Sequence, residues 1–214
     1  MIMNAMILAA GRGERMRPLT DNCPKPLLKV KGKALIVYHL EALSRAGFCS
    51  VVINLSWLGK QIETYLGNGS TFDLDIVYSQ EPEALETAGG IVKALPLLSD
   101  QFVVVNADIF TDFDFSSLSL AKIHSHLVLV PNPAFHANGD FSIEHGMLSN
   151  AGQQRFTFSG IAQYQKSFFS NLKQGKRTLA PMLQKAADRS QISAELFQGN
   201  WVDVGTLERL EALQ

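Results

Sequence analysis

The stretch AMILAAGRGERMRPLTDNCPKPLLKVKGKALI, from Ala5 to Ile36, decides the fold. Its apolar run Met6–Ala10 is typical of a buried strand, and the run passes directly into the glycine turn Gly11–Gly13. Arg15 follows the turn, and Lys25 stands between two prolines that restrict its backbone. Glycines let backbone N–H groups approach phosphate oxygens, and cations balance the phosphate charge. We therefore predict a polyphosphate-binding loop; the alternative is a chain reversal whose lysine faces water.

Short apolar runs alternate with helical patterns along the rest of the chain, which is the signature of βαβ units. We predict an α/β fold: a Rossmann-like, doubly wound, mixed and mostly parallel sheet with helices on both faces. In the first half, strands are expected at Met6–Ala10, Val51–Leu55, Leu74–Tyr78 and Phe102–Val105, and helices at Leu35–Ala46, Leu58–Leu66 and Gly90–Leu98.

The second half is less regular. A strand is expected at His126–Val130, and a small β meander for a second substrate at Phe141–Ile143, Gly146–Leu148 and Arg155–Ala162. Helices are expected at Ser167–Gln174, at Leu179–Ala187 and from about Thr206. Because no repeat or flexible linker interrupts the pattern, residues 1–214 are expected to form one domain.

Composition excludes several classes of protein. The formal charge of −1 and a pI near 6.5 provide no basic field for a nucleic acid. Cys23 and Cys49 fit neither a disulfide framework nor a metal motif, so we expect a reduced, cytoplasmic location. The apolar start lacks the cationic region of a signal peptide, and no apolar run has the length of a membrane span.

Two carboxylates stand out by position. Asp108 comes just after an apolar strand, where α/β sheets place their ligands, although a turn or capping aspartate is equally compatible with that position. Asp203 lies in Trp201–Thr206, WVDVGT, which also carries a helix-cap signal at Thr206. Two carboxylates that converge on one ion are typical ligands of magnesium.

The pattern L-A-A-G-x-G-x-R-M-x-P-L-T followed by P-K-P-L, Leu8 to Leu27, resembles the signature of sugar-1-phosphate nucleotidylyltransferases. The resemblance implies that Arg15 and Lys25 act on the phosphates and that Asp108 and Asp203 hold Mg²⁺, with Ala107 replacing the family's glycine. The segment Glu86–Gly90 resembles the family's L-G-T-A-G-G, with Glu86 in place of a glycine. The implied nucleotide-binding residues are Leu8, Ala9, Ala10, Gly11, Gly13, Glu14, Arg15, Met16, Lys25, Asn54, Glu86, Thr87, Ala88, Gly89 and Asn106.

The acceptor half departs from the commonest family members, because Phe156–Gly160 stands where many show Glu-x-Asn-Ala-Gly. Within the family, N-P-x-x-H-x-x-G-D-F at Asn132–Phe141 and F-S-G-I at Phe158–Ile161 are most similar to the N-acetylmuramate-1-phosphate uridylyltransferases. His136 is either a ligand for a sugar carboxylate or a plain surface residue. The expected acceptor-binding residues are Asn138, Gly139, Asp140, Ser159 and Gly160.

The resemblance implies a magnesium-dependent transfer from a nucleoside triphosphate, UTP, to N-acetylmuramate 1-phosphate in peptidoglycan recycling. The alternatives are a hexose-1-phosphate or mannose-1-phosphate nucleotidylyltransferase, an enzyme that makes CDP-choline, and a non-catalytic nucleotide-sensing module. We expect a monomer or weak dimer that binds neither nucleic acid nor membrane. Retention of Lys25 and both aspartates favours an enzyme over a sensor.

Overall fold

The structure, a computed structural model, describes residues 4–118 and 125–214. Within these residues the strands are β1 Asn4–Leu8, β2 Lys29–Val30, β3 Lys33–Ala34, β4 Ser50–Leu55, β5 Asp75–Gln80, β6 Gln101–Asn106, β7 Ile109–Thr111, β8 Ser125–Val130, β9 Ser142–Glu144, β10 Met147–Ser149, β11 Thr157–Gln165, β12 Ile192–Leu196 and β13 Trp201–Asp203. The α-helices are α1 Leu19–Asn22, α2 Leu35–Arg45, α3 Gly59–Leu66, α4 Glu86–Ala94, α5 Ala180–Asp188 and α6 Leu207–Glu211.

Nine of these strands form one mixed sheet in the order β5-β4-β1-β6-β11-β8-β12-β10-β9. Strands β5, β4, β1 and β6 are mutually parallel, and β8 pairs in parallel with β12. In this sheet β11 and β10 run against the direction of the other strands. The predicted mixed, mostly parallel α/β architecture is therefore confirmed.

Helices cover both faces of the sheet. Side chains of a strand alternate between the two faces, so an apolar strand needs a cover on each side. Ala5 and Ile7 of β1 face one core, which is completed by α2 and α3. Met6, between them, faces the other core, which is completed by α4 and α5. All three are fully buried, so β1 reads as an unbroken apolar run. Within the described residues, no helix has the length and apolarity needed to cross a membrane.

Several predicted element bounds are wrong. The first strand ends at Leu8, two residues early, and α4 begins at Glu86, four residues before the predicted start. The predicted helix Ser167–Gln174 is a single 3-10 turn, Lys166–Phe169, because Phe169 is fully buried against the rings of Phe102 and Tyr164. Tertiary packing of these aromatic rings outweighs local helix propensity.

The predicted meander is also wrong as a separate unit. The third of its strands, β11, lies within the main sheet between β6 and β8, and β9–β10 forms a hairpin at the sheet edge. The pairing of β11 shifts register between Phe158 and Ile161, where Gly160 has φ +83°. The bulge thus places a glycine directly beside the end of β6.

Candidate active site

A cleft of about 420 Å³ opens at the carboxyl ends of β1, β4 and β6. This edge of a parallel sheet is where α/β proteins bind ligands, because the connecting loops diverge there. The cleft is lined by Leu8, Ala9, Ala10, Gly11, Gly13, Glu14, Arg15, Lys25, Pro26, Asn54, Glu81, Ala84, Glu86, Thr87, Asn106, Ala107, Asp108 and Gly205.

The glycine turn forms one wall of this cleft. Among the described residues, the amides of Gly11, Arg12 and Gly13 donate no backbone hydrogen bond, so they are available to a ligand. Gly13 has φ +70°, and a Cβ there would lie 3.2 Å from Cβ of Lys25 and 3.0 Å from Cγ2 of Thr20. A glycine is therefore required both by the backbone conformation and by the close passage of Lys25.

Lys25 and Asp108 form an ion pair on the cleft wall. Nζ of Lys25 donates to Oδ2 of Asp108 at 2.5 Å. The lysine side chain is 8% exposed, whereas the aspartate side chain is 36% exposed. The ammonium thus depends on this partner for its charge balance, while the carboxylate is also hydrated.

A short β-ribbon brings Asp203 to Asp108, 95 positions away in the sequence. Strands β7 and β13 pair antiparallel with Asp203 opposite Ile109, and N–H of Val204 donates to the carbonyl oxygen of Asp108 at 2.9 Å. Oδ2 of Asp203 lies 3.3 Å from Nη1 of Arg209. Its Oδ1 is buried without a hydrogen-bond partner in the described part of the chain.

These two carboxylates fit magnesium. An unpartnered, buried carboxylate oxygen is costly, and a cation would satisfy it. No group of three or more His, Cys, Asp or Glu side chains suited to a metal occurs within residues 4–118 and 125–214. Magnesium needs no such group, since it takes one or two carboxylates together with water and substrate phosphates.

A buried histidine contacts the backbone next to Asp108. Nε2 of His39, in α2, lies 2.9 Å from the carbonyl oxygen of Ile109, and we assign it as the donor. Burial lowers the pKa of His39 to about 4 from its ordinary value of 6.5, against the opposing effects of the Ile109 hydrogen bond and the Asp108 charge. The imidazole is therefore neutral at pH 7.

This histidine should make the stability of the protein pH-dependent. Because its folded pKa is depressed, its contribution is fully present above pH 6.5 and is lost as the pH falls through about 4. Between pH 7 and pH 5 we expect it to account for a loss of about 2 kcal/mol. Urea unfolding of the wild type and of His39→Gln at both pH values measures this contribution. If the free energy of unfolding falls equally in the two proteins between pH 7 and pH 5, the prediction is contradicted.

Two buried polar side chains brace the cleft floor. Asn54 accepts from N–H of Ala9 at 2.8 Å and donates to Oε1 of Glu81 at 2.7 Å. Oε2 of Glu81 accepts from N–H of Leu85 at 2.9 Å. A Cβ on Gly90 would lie 2.7 Å from Oε1 of Glu81, so this glycine makes room for the pair. Sequence reasoning missed Glu81; its one signal is its place just after β5.

The first turn of α4 forms the opposite wall. Glu86 has φ +61°, a left-handed conformation that favours glycine. This explains why a glycine is usual here in the family that the sequence resembles. Gly89 lies under the loop 175–177: its N–H donates to the carbonyl oxygen of Arg177, and a Cβ on it would lie 2.4 Å from the carbonyl oxygen of Gly175.

Restoring the glycine should therefore stabilise the protein. We expect Glu86→Gly to raise the free energy of unfolding by up to about 1 kcal/mol, because a left-handed non-glycine residue costs roughly 1–2 kcal/mol and glycine entropy returns part of that. Glu83→Gly is the matched control, since Glu83 is exposed in the loop just before α4 and has no positive φ. Chemical denaturation checks both; a destabilised Glu86→Gly would contradict the strain assignment.

Three predicted nucleotide-binding residues do not line the cleft. Met16 is fully buried in a separate apolar cluster with Leu28 and Leu35. Ala88 is buried on the sheet side of α4, and Gly89 is buried under the loop 175–177. Their side chains pack within the fold, and their nucleotide-binding role stays a prediction. The other predicted nucleotide-binding residues all line the cleft.

The predicted acceptor-binding residues lie outside the cleft lining. Ser159 is buried and saturated: its hydroxyl donates to the carbonyl oxygen of Val128 at 2.7 Å and accepts from N–H of Ile161. Asp140 accepts from N–H of Phe158 and pairs with His136 at 3.0 Å, which accounts for that histidine.

The three remaining positions differ in what they offer a ligand. Asn138 is exposed, Gly139 is held against Asn132, and a Cβ on Gly160 would lie 2.6 Å from Nδ2 of Asn106. Ser159 and Gly160 thus have local contacts that hold the bulge of β11, and their acceptor-binding role stays a prediction. Asn138, at the tip of the loop 131–141, keeps a free side chain among the described residues.

Comparisons with known proteins identify the family and the fold. A family model described as nucleotidyl transferase matches residues 4–129. The N-acetylmuramate alpha-1-phosphate uridylyltransferase of Neisseria meningitidis serogroup B is 49% identical over 99% of this chain and 97% of its own length. A UTP–glucose-1-phosphate uridylyltransferase of Synechocystis sp. is 37% identical over 57% of this chain and 34% of its own length. A UDP-glucose pyrophosphorylase solved with UDP-glucose shares the fold, with a TM-score of 0.81 and 21% identity over 100% of this chain and 97% of that one.

Proposed function

Because the chain belongs to the nucleotidyl transferase family, as a sugar-1-phosphate nucleotidyltransferase, we propose that it transfers a uridylyl group from UTP to N-acetylmuramate 1-phosphate. The observation that carries this proposal is the 49% identity to a protein of that name, which extends over 97% of the relative's length. The products would be UDP-N-acetylmuramate and pyrophosphate.

The proposed reaction is one in-line displacement. An oxygen of the sugar phosphate forms a bond to the α-phosphorus of UTP, and the bond from that phosphorus to the α–β bridging oxygen breaks. Pyrophosphate leaves with the electron pair of the broken bond. Such a reaction needs positioning and charge stabilisation more than a protein nucleophile.

The residues that line the cleft would divide this work. The free amides of the glycine turn would bind triphosphate oxygens, and exposed Arg15 would stabilise the leaving pyrophosphate. Lys25 would stabilise the charge that builds on the α-phosphate. Asp108 and Asp203 would hold magnesium, which neutralises phosphate charge when it is bound.

We further propose the biological setting. The product is an activated cell-wall sugar, so the reaction would return a recovered sugar to peptidoglycan synthesis. Because it consumes a nucleoside triphosphate, it would take place in the cytoplasm. We propose that residues 1–214 act as one catalytic domain, as a monomer or weak dimer, on these two small substrates and on neither nucleic acid nor membrane; light scattering checks the oligomeric state.

A pyrophosphate-release assay tests the proposal. UTP, CTP, GTP, ATP and dTTP are each combined with N-acetylmuramate 1-phosphate, glucose 1-phosphate and mannose 1-phosphate, with and without Mg²⁺. We expect the highest kcat/KM for UTP with N-acetylmuramate 1-phosphate in the presence of Mg²⁺. A higher kcat/KM with glucose 1-phosphate or mannose 1-phosphate would reassign the acceptor. Binding of a triphosphate with no release of pyrophosphate in any combination would indicate a nucleotide sensor.

A further inference from the structure

A cationic side chain that the proposed reaction does not use, Arg209, lies beside the cleft. It extends from α6, and its side chain is 18% exposed. Its Nη1 lies 3.3 Å from Oδ2 of Asp203, and its Cζ lies 3.9 Å from the centre of the Phe135 ring. Planar stacking and a fixed fork of donors suit an arginine to binding an oxyanion.

Charged side chains converge on Gly205. A Cβ at this cleft-lining glycine would lie 2.6 Å from Nη2 of Arg209, 3.0 Å from Nη2 of Arg15 and 2.8 Å from Oδ1 of Asp203. Two guanidinium groups and one carboxylate thus converge on one small volume. Nη2 of Arg209 therefore lies against the cleft lining, where a guanidinium nitrogen can donate to an oxyanion.

An unsatisfied hydrogen-bonding group marks the same place. Nη1 of Arg209 is buried and donates no hydrogen bond to any described residue, although it is close to Asp203. Nε of the same guanidinium donates to Oγ1 of Thr206 at 3.5 Å, so only part of its donor capacity is used within the described residues.

The arginine also connects the cleft to the loop 131–141. Phe135, on which it stacks, belongs to this loop and is 53% exposed. The loop contains Asn138, whose side chain forms no hydrogen bond among the described residues. Arg209 therefore lies between Gly205 of the cleft and Phe135 of the loop 131–141.

We propose that Arg209 binds an anionic oxygen of the acceptor sugar phosphate, at a subsite between Gly205 and Phe135. This inference rests on the proposed function and adds a substrate contact to it. The oxyanion is either the sugar's phosphate or the carboxylate of its lactyl ether, since a guanidinium pairs with both. Phe135 holds the guanidinium in place through its ring face.

Steady-state kinetics of Arg209→Gln and Arg209→Lys test this subsite. For Arg209→Gln we expect KM for N-acetylmuramate 1-phosphate to rise roughly tenfold or more, the equivalent of one lost charge-assisted hydrogen bond. KM for UTP should change less than about threefold, because the glycine turn and Lys25, which would bind the triphosphate, form no hydrogen bond with Arg209. Arg209→Lys keeps the positive charge but loses the planar fork of donors. Its KM for N-acetylmuramate 1-phosphate should therefore lie between those of the wild type and of Arg209→Gln. Arg45→Gln, an exposed arginine at the end of α2, should change neither KM.

A second acceptor, N-acetylglucosamine 1-phosphate, lacks the lactyl carboxylate. Comparing KM for the two acceptors shows which anionic group Arg209 binds. An equal rise in KM for both acceptors indicates the phosphate, and a rise confined to the carboxylate-bearing sugar indicates the carboxylate. An unchanged acceptor KM, or an equal rise in the KM for UTP, would overturn the inference in favour of a structural role. If the wild type turns over no acceptor, the proposed function fails by itself; calorimetric titration with N-acetylmuramate 1-phosphate then tests Arg209 through the same loss of affinity.

Discussion

Replacing Lys25 with alanine is expected to lower kcat by roughly 10²–10³, the usual cost of removing one preorganised charge contact from a transition state. The structure explains why this loss should be specific. Nζ of Lys25 is fixed at 2.5 Å from Asp108, and the side chain is 8% exposed, so its position is set before substrate binds. Asp108 is 36% exposed even beside Lys25, so water can solvate it when the lysine is removed and the fold should persist.

Rapid-quench measurement of pyrophosphate formation checks this rate loss, and circular dichroism checks the fold. Lys29→Ala is the matched control, because Lys29 is an exposed lysine four positions further along the same stretch. We expect the control to keep wild-type kcat. A Lys25→Ala variant with kcat within threefold of the wild type would remove this lysine from the reaction.

Asp108→Asn is expected to abolish magnesium-dependent pyrophosphate release. The substitution removes one of the two carboxylates suited to the ion, and asparagine presents a neutral oxygen in its place. It also leaves the buried Lys25 ammonium without a counter-charge, so a loss of up to about 3 kcal/mol in the free energy of unfolding should accompany it.

The double variant Lys25→Gln/Asp108→Asn separates these two effects. It removes both charges of the pair, so its stability should return close to that of the wild type while its activity stays absent. Magnesium titrations of pyrophosphate release and thermal unfolding measure the two effects independently. A folded Asp108→Asn protein with unchanged turnover would refute the metal assignment.

The phosphate side of the cleft could be predicted because its determinants are local. The glycine turn, Arg15 and Lys25 lie within fifteen residues, and their spacing is itself the motif. Asp203 was identified through resemblance. The structure adds the reason that it meets Asp108: Asp108 directly precedes β7, Asp203 is the last residue of β13, and these two short strands pair antiparallel.

The acceptor side could not be predicted because its determinants depend on strand pairing. Whether β11 forms part of a meander or inserts beside β6 depends on long-range partners that periodicity does not encode. Ser159 therefore reads as a polar turn residue in the sequence, while in the fold its hydroxyl is enclosed by the bulge of β11. Glu81 and Arg209 belong to no motif, and their roles arise only from the contacts that the fold gives them.

One isotope experiment tests the central claim most directly. UTP and Mg²⁺ are incubated with N-acetylmuramate 1-phosphate that carries ¹⁸O in its phosphate group, and both products are analysed by mass spectrometry. If the acceptor oxygen attacks the α-phosphorus, all of the label enters UDP-N-acetylmuramate and the pyrophosphate contains none. Label in pyrophosphate, or the absence of a UDP-sugar product, would contradict the account.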